Sequence, residues 1–352
     1  ALELTERDLP IGVVGGTILL LMVPIMLLLA KLGAGGPVEG ALGISLFAST
    51  IYILIAGIAI ASVTGYMAGL IGASNSPVSG VGILSVLGIS LLLVGIFGRG
   101  LSPEDTKALV AFALFVTAII FGIATIANDN LQDLKTGQLV GATPWRQQIA
   151  LVLGVIFGGL VIPPILSMLN STFGFQGAPG AGDAALGAPQ AALISTIAQG
   201  VLGGDLNWNL IGFGALVGVA AIVIDEALRR GGKGSLPPLA VGMGMYLPLD
   251  STGFVIVGAV LGHLYNGWAK RQRDPAFAER MGVLTATGLI VGDGLFNVFY
   301  AAVVGATDNP DVLAVFGANT WSVPMGLLLF GGLTVWAYAR MRGDAARPVN
   351  RG

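Results

Sequence analysis

The sequence predicts an all-α polytopic membrane protein with roughly nine transmembrane spans and two broken or re-entrant elements rich in proline and glycine. Composition is the first reason. Of 352 residues, 55% are hydrophobic and only 10% are charged, against about 25% charged in a soluble domain. That leaves too little charge to coat a water-facing surface. The second reason is that apolar runs of about 20 residues, the length a helix needs to cross the hydrocarbon core, recur along the whole chain. The third is glycine, present 55 times, because small residues let helices approach closely where lipid supplies no hydrophobic drive between them. The same composition excludes other classes. Zero cysteines rule out disulfides, thiolate metal sites and cysteine nucleophiles. A single histidine makes no permanent metal cage, so no metal site and no bound cofactor are expected. A net charge of −2 argues against nucleic acid as a partner.

Taken in order, the length rule places spans near 10–30, 41–63, 81–97, 108–127, 149–169, 208–228, 252–269, 282–305 and 322–340. Acidic Glu3, Glu6 and Asp8 lead into the first, and no basic n-region precedes it, so no signal peptide is expected. The chain reads as a piece of a longer polypeptide. The polar stretch 128–148 is expected to form an interfacial amphipathic helix. Stretch 170–207 is Gly- and Ala-rich and carries Asp183 and Asp205 without Lys or Arg. It is expected as an extracytoplasmic loop with a short surface helix over 189–202. Stretches 64–80 and 236–251 fit no simple span, being short, apolar and interrupted by Pro and Gly.

Positive charge orients the chain. Arg229, Arg230 and Lys233 form one cluster, Lys270, Arg271, Arg273 and Arg280 a second, and Arg340, Arg342, Arg347 and Arg351 a third. Placed on one side, they make the C-terminus cytoplasmic. Loops 170–207 and 306–321, the latter with Asp308 and Asp311, lack Lys and Arg and belong outside. Segment 234–269 then starts and ends on the cytoplasmic side. A hairpin of two short elements turning near Tyr246–Asp250 satisfies that and puts its turn inside the bundle.

The run Gly69-Leu-Ile-Gly-Ala-Ser-Asn-Ser-Pro-Val-Ser-Gly80 is small, polar and broken by proline between apolar segments. Irregular backbone at membrane depth is costly unless protein covers it or it lines a wet cavity, so the run is a candidate solute pathway. Three strings together resemble the oligopeptide transporter (OPT) family. Gly69 to Gly80 resembles its G-x-I-G-S-S-N-N-P-I-S-G stretch. Gln132-Asp-Leu-Lys-Thr-Gly-Gln-Leu-Val-Gly-Ala-Thr-Pro-Trp-Arg-Gln-Gln148 is similar to its Q-D-L-K-T-G…G-A-T-P run. Ala240-Val-Gly-Met-Gly-Met-Tyr-Leu-Pro-Leu249, followed by Asp250, is similar to its A-V-G-x-x-Y-L-P-L-E element. The order also agrees. The branch resembles the prokaryotic one, nearer the metal-chelate (Yellow Stripe-like) members than the fungal peptide carriers.

The resemblance implies secondary active, proton-coupled transport of small oligopeptides or metal–chelate complexes across a bacterial inner membrane, by a protein that is not an enzyme. Family members are nearly twice as long, and the matched strings lie in what the resemblance implies is the C-terminal half. Residues 1–352 are therefore expected to be one transmembrane transporter domain that works with an N-terminal half or a second copy. Asp250 and Asp293 stand where Glu is expected, and Ser76 where a second Asn is frequent.

Candidate residues follow. Ser74, Asn75, Ser76, Pro77 and Ser79 in the first break, with Tyr246 and Pro248 in the second, are the expected solute-binding set. Amide and hydroxyl groups donate or accept without charge. A break serving only tight packing is the alternative. Asp293, within Gly288-Leu-Ile-Val-Gly-Asp-Gly-Leu-Phe-Asn297, falls near the centre of its span. An intramembrane carboxyl group is a functional hypothesis by default, and low dielectric favours its uncharged form. Asp293 is thus the candidate proton carrier, with Asn297 one turn on and Asp250 at the second break. A static interhelical hydrogen bond for Asp293 and a helix cap for Asp250 are the alternatives. Asp225 and Glu226 are expected to anchor a cytoplasmic helix end, Glu226 pairing with Arg230. Asp129 is expected at a helix end, and His263 in interfacial packing. Two other classes compete: a channel-like pore, and an intramembrane serine hydrolase using Ser79 and His263. Against the hydrolase, Pro77 stands where a Gly-x-Ser-Gly motif requires glycine.

Overall fold

The structure is a computed structural model and describes residues 3–73, 76–178, 182, 185–204, 206–232, 234–246, 249–307, 309, 311–314 and 321–346. After a 3-10 turn at Leu4–Glu6, the elements are α1 (Ile11–Gly33), α2 (Pro37–Gly40), α3 (Leu42–Ile71), α4 (Val78–Phe97), α5 (Pro103–Val140) and α6 (Pro144–Thr172), followed by α7 (Pro189–Gly203), α8 (Trp208–Arg230), α9 (Pro238–Tyr246), α10 (Leu249–Ala269), α11 (Pro275–Thr307) and α12 (Ser322–Ala346). Eight of them, α1, α3, α4, α5, α6, α8, α11 and α12, are long and apolar enough to cross a membrane. Among the described residues only an isolated bridge, Phe175 to Leu186, departs from helix and loop. The chain is an all-α, multi-pass membrane protein. The first expected interruption is present, with α3 ending at Ile71 before α4 starts at Val78; the second falls on residues 247 and 248, which lie outside the described residues.

The chain divides into two compact units. One holds residues 1–161 and 188–213; the other holds 162–187 and 214–352. The first division falls inside α6, beside Pro163 and Pro164, two successive residues that lack a backbone N–H.

In the first unit α3, α4, α5 and α7 pack together with α1 and α2 alongside. Ile53, Val86, Ile89, Leu93, Leu109 and Phe112 are fully buried at their centre. Glycines bring the helix backbones close. A Cβ on Gly57 would lie 3.1 Å from Ile123, and one on Gly65 would lie 3.1 Å from Leu131. A Cβ on Gly82 would overlap the Phe121 ring. Tyr52 Oη donates to the Ser85 carbonyl at 2.9 Å, tying α3 to α4. Helix α5 is N-capped by Ser102, whose Oγ accepts from the Asp105 amide at 3.1 Å. It ends in a Schellman motif, with Ala142 N–H on the Gly137 carbonyl at 2.8 Å and Gly141 in the left-handed region at φ 76°.

Two expectations change here. Stretch 128–148 is not a separate helix: 128–140 continues α5, Gly141 turns the chain, and Pro144 opens α6. No proline stands between Ala127 and Val140, and Gly137 comes only in the last turn, so the polar run extends the apolar one. Within 170–207 the short helix is present as α7, but it buries Ile194, Ala198, Val201 and Leu202 and packs against α4 and α5.

The second unit is sparser. Its core is Tyr265, Ala269, Ala278, Met341 and Ala345, where α10, α11 and α12 meet. Tyr265 Oη donates to the Ala278 carbonyl at 2.7 Å, and its ring fills the space beside Gly282. Asp225, only 8% exposed, accepts from the Leu236 amide at 2.7 Å and pairs with Arg229 at 3.0 Å, which fastens the turn after α8. Glu226 meets Arg230 at 2.7 Å, the pairing that their spacing predicts. Large apolar side chains such as Leu328, Leu216 and Val255 are exposed, as membrane-facing helices require.

The contact between Gly82 and Phe121 is the tightest test of this packing. Gly82→Ala in the full-length protein should lower unfolding stability in detergent by about 1–3 kcal/mol, the usual cost of overpacking. Adding Phe121→Leu should recover part of the loss. An unchanged melting temperature for the single variant would contradict the α4–α5 interface.

Candidate functional site

In the first unit the break between α3 and α4 is held by its own backbone. Gly72 takes φ 88°, a conformation that favours glycine, and its N–H returns to the Ala68 carbonyl at 3.0 Å. The Ser76 amide reaches the Ala73 carbonyl at 3.1 Å, and Pro77 caps α4, where the Val81 amide meets the Pro77 carbonyl at 3.0 Å. Ser76 Oγ donates to the Thr64 carbonyl at 3.3 Å. Thr64 is fully buried and its hydroxyl lies 2.9 Å from the Ile60 carbonyl and 3.2 Å from that of Ala124 on α5. The break is therefore stitched to α3, and α3 to α5.

Of the expected solute-binding set, Ser76 is half-buried, while Pro77 and Ser79 are exposed. Ser74, Asn75 and Pro248 lie outside the described residues. Tyr246 closes α9 and Asp250 is the second residue of α10.

The second unit contains a groove of about 920 Å³ between α10, α11 and α12. Phe254, Gly258, Gly262, Tyr265 and Asn266 line one wall. The second wall carries Glu279, Gly282, Thr285, Ala286, Leu289 and Asp293, and the third Phe330, Thr334 and Tyr338. The hydroxyls of Thr285 and Thr334 donate to their own helices, to Met281 and Phe330. Two carboxyl groups and the Asn266 amide are left to face a largely apolar space. No hydrogen bond or ion pair joins Asp293 or Glu279 to another described residue. Asp293 stands near the middle of the 33-residue α11. Glu279 lies on the same face four turns earlier, about 21 Å away at ~1.5 Å per residue. Carboxylates accept but do not donate, so such a groove suits a proton, a cation or a solute's N–H groups. No group of three or more His, Asp or Glu positioned for a metal occurs among the described residues.

Asn297, one turn beyond Asp293, is exposed and outside the groove lining. His263 is exposed on α10 and is also absent from the lining. Ser79 belongs to the first unit and His263 to the second, so neither unit by itself holds the Ser79–His263 pair. Glu279 is the lining residue that motif reading passes over. It sits beside basic Arg280 and looks like a solvated helix start; only its fourteen-residue spacing from Asp293, four helical turns, marks it.

The chain matches the family model described as OPT oligopeptide transporter protein over residues 1–304. It is 40% identical over 329 residues to a Haemophilus influenzae protein named "Putative oligopeptide transporter", covering 88% of this chain and 52% of that one. It is 27% identical over 240 residues to the "Probable metal-nicotianamine transporter YSL8" of Oryza sativa subsp. japonica, covering 65% of this chain and 33% of that one. A "Probable metal-nicotianamine transporter YSL5" of Arabidopsis thaliana is 26% identical over 214 residues, 58% of this chain and 28% of that one. The chain thus spans about half the length of the first of these and about a third of the others. No solved structure matches it. These relatives are named as transporters, which sets the hydrolase alternative aside.

Because the chain has no cysteine, wetness of the groove is directly measurable. With a single cysteine in an otherwise cysteine-free full-length protein, Thr285→Cys should react readily with a membrane-impermeant methanethiosulfonate reagent. Leu295→Cys, on α11 but off the groove, should react far more slowly. Equal rates would mean that the groove holds lipid rather than water.

Proposed function

Because the chain belongs to the oligopeptide transporter (OPT) family, we propose that the protein it forms is a secondary active carrier for small oligopeptides or metal–chelate complexes, driven by protons. The carboxyl group of Asp293 inside the α10–α12 groove is the observation that carries this reading. A mid-helix carboxyl group is retained in a membrane span only at a cost of about 2.5–3.5 kcal/mol on insertion scales, and here no described partner neutralises it. At about 920 Å³ the groove is within the ~300–1,000 Å³ range of ligand pockets. Asp293 takes up a proton from one side and releases it to the other as the carrier changes conformation. The broken elements around Ser76–Pro77 and 247–248 bind the solute.

A re-entrant second element is supported by the basic residues on either side of it, Arg229 and Arg230 before and Lys270 and Arg271 after, which place both of its ends on one side. Basic residues at the end of α8, between α10 and α11, and along the last turns of α12 (Arg229, Arg230, Lys270, Arg271, Arg340 and Arg342) favour a cytoplasmic C-terminus in a bacterial plasma membrane. The partners are the solute, the bilayer, and an N-terminal half of the same polypeptide or a second copy.

Uptake into proteoliposomes by the full-length protein tests the proposal, with trialanine and iron–nicotianamine as probes and an inward proton gradient imposed or collapsed. Wild type should accumulate one of the probes only with the gradient. Asp293→Asn should lose gradient-driven accumulation yet retain exchange of labelled for unlabelled solute. Undiminished proton dependence in Asp293→Asn would remove Asp293 from the coupling role.

A further inference from the structure

Several buried polar atoms in the first unit lack a hydrogen-bond partner, among them the hydroxyls of Ser45, Ser49 and Ser90 and the amide oxygen of Asn128. A serine hydroxyl can turn to the carbonyl one turn back in its own helix. An amide oxygen accepts only, and no backbone N–H inside a helix is free to meet it. Asn128 is just 6% exposed, so water does not readily replace the missing donor.

The position of Asn128 gives this vacancy its meaning. Helix α3 runs parallel to α5, with Gly57 against Ile123 and Gly65 against Leu131 and the Ala127 carbonyl. Thr64 hydrogen-bonds the Ala124 carbonyl at 3.2 Å. Asn128 is one turn beyond Ala124 and three residues before Leu131 on α5, and so belongs to the stretch that faces Thr64 and Gly65. From the other direction the break folds back until Ser76 Oγ meets the Thr64 carbonyl at 3.3 Å. Thr64 on α3 thus links the break, through Ser76, to the turn of α5 that precedes Asn128. The Thr64 and Ser76 hydroxyls are engaged in holding that arrangement together, whereas the Asn128 oxygen is not.

We infer that Asn128 is a solute-binding residue of the first break, its carboxamide oxygen accepting a hydrogen bond from an N–H donor on the transported solute. The inference rests on the carrier reading above. The ammonium or main-chain amide of a short peptide supplies that donor, and so does an amine of a chelator; the two probes separate these sources.

The test is uptake kinetics of full-length wild type, Asn128→Leu and Asn128→Asp in proteoliposomes, with trialanine and with iron–nicotianamine. Leucine keeps the volume and removes the orphaned acceptor. For the probe that wild type transports, Asn128→Leu should raise KM about tenfold, the loss of one hydrogen bond to solute, with maximal rate within about twofold. Its melting temperature in detergent should not fall, because no internal hydrogen bond is lost. Asn128→Asp keeps the acceptor, so its KM should stay within about threefold of wild type, and it carries the test if the leucine variant fails to insert. A KM unchanged in Asn128→Leu, a lowered melting temperature with unchanged KM, or a KM raised as strongly by Asp as by Leu would each overturn the inference. Wild type that moves neither probe would instead defeat the carrier reading itself.

Discussion

Helices α3 and α5 meet at Gly57 and Gly65, where even a methyl group would crowd Ile123 and Leu131. Lipid tails are as apolar as leucine, so burying leucine between two membrane helices gains little; what holds helices together there is close packing and hydrogen bonds across the seam. Thr64 supplies such a bond, reaching the Ala124 carbonyl from a fully buried position. The rest of the first unit follows from that seam. It sets the level at which α3 ends, and Ser76 ties the departing chain back to Thr64. It also places the Phe121 ring where α4 can pass only as glycine, at Gly82.

The second unit obeys the same physics with fewer contacts. Its small core gathers at one end, around Tyr265, Ala278 and Met341. Away from that end Gly258 and Gly262 leave room between the helices. Asp293 sits in the open part and Glu279 near the packed end. Because the hydroxyls of Thr285 and Thr334 are absorbed by their own helices, the carboxyl groups dominate the electrostatics of an otherwise apolar groove.

Much of this organisation is legible from residues alone, because the bilayer imposes a length and a polarity that a sequence must obey. Every span expected from the length rule is helical, although 252–269, within α10, is not among the eight helices apolar enough to cross; His263 and Asn266 dilute it. The break between α3 and α4 announces itself through Pro and Gly, and the Glu226–Arg230 pair through its spacing. The features that escape are those set by tertiary packing. Nothing local says that one face of α7 is buried, since Ile194, Ala198 and Leu202 on one face suit a surface helix equally well. Glu279 escapes for a similar reason: its role depends on which helices stand opposite it.

The extent of α5 shows how a motif can be read correctly and its structure missed. Thirty-eight residues rise about 57 Å at ~1.5 Å each, nearly twice the ~30 Å of the hydrocarbon core. A helix of that length must leave the bilayer at one end or both, and its polar stretch, Asp129 through Gln138, is the part fitted to do so. The string from Gln132 to Gln148 therefore spans a helix that has emerged, its Schellman stop, and the start of α6. Gly137 closes this corner, since its missing side chain admits Gln147 from the next helix. The corner keeps α6 next to the end of α5, and α5 carries Asn128 and Ala124 about two and a half and three and a half turns before Gly137 on the same helix.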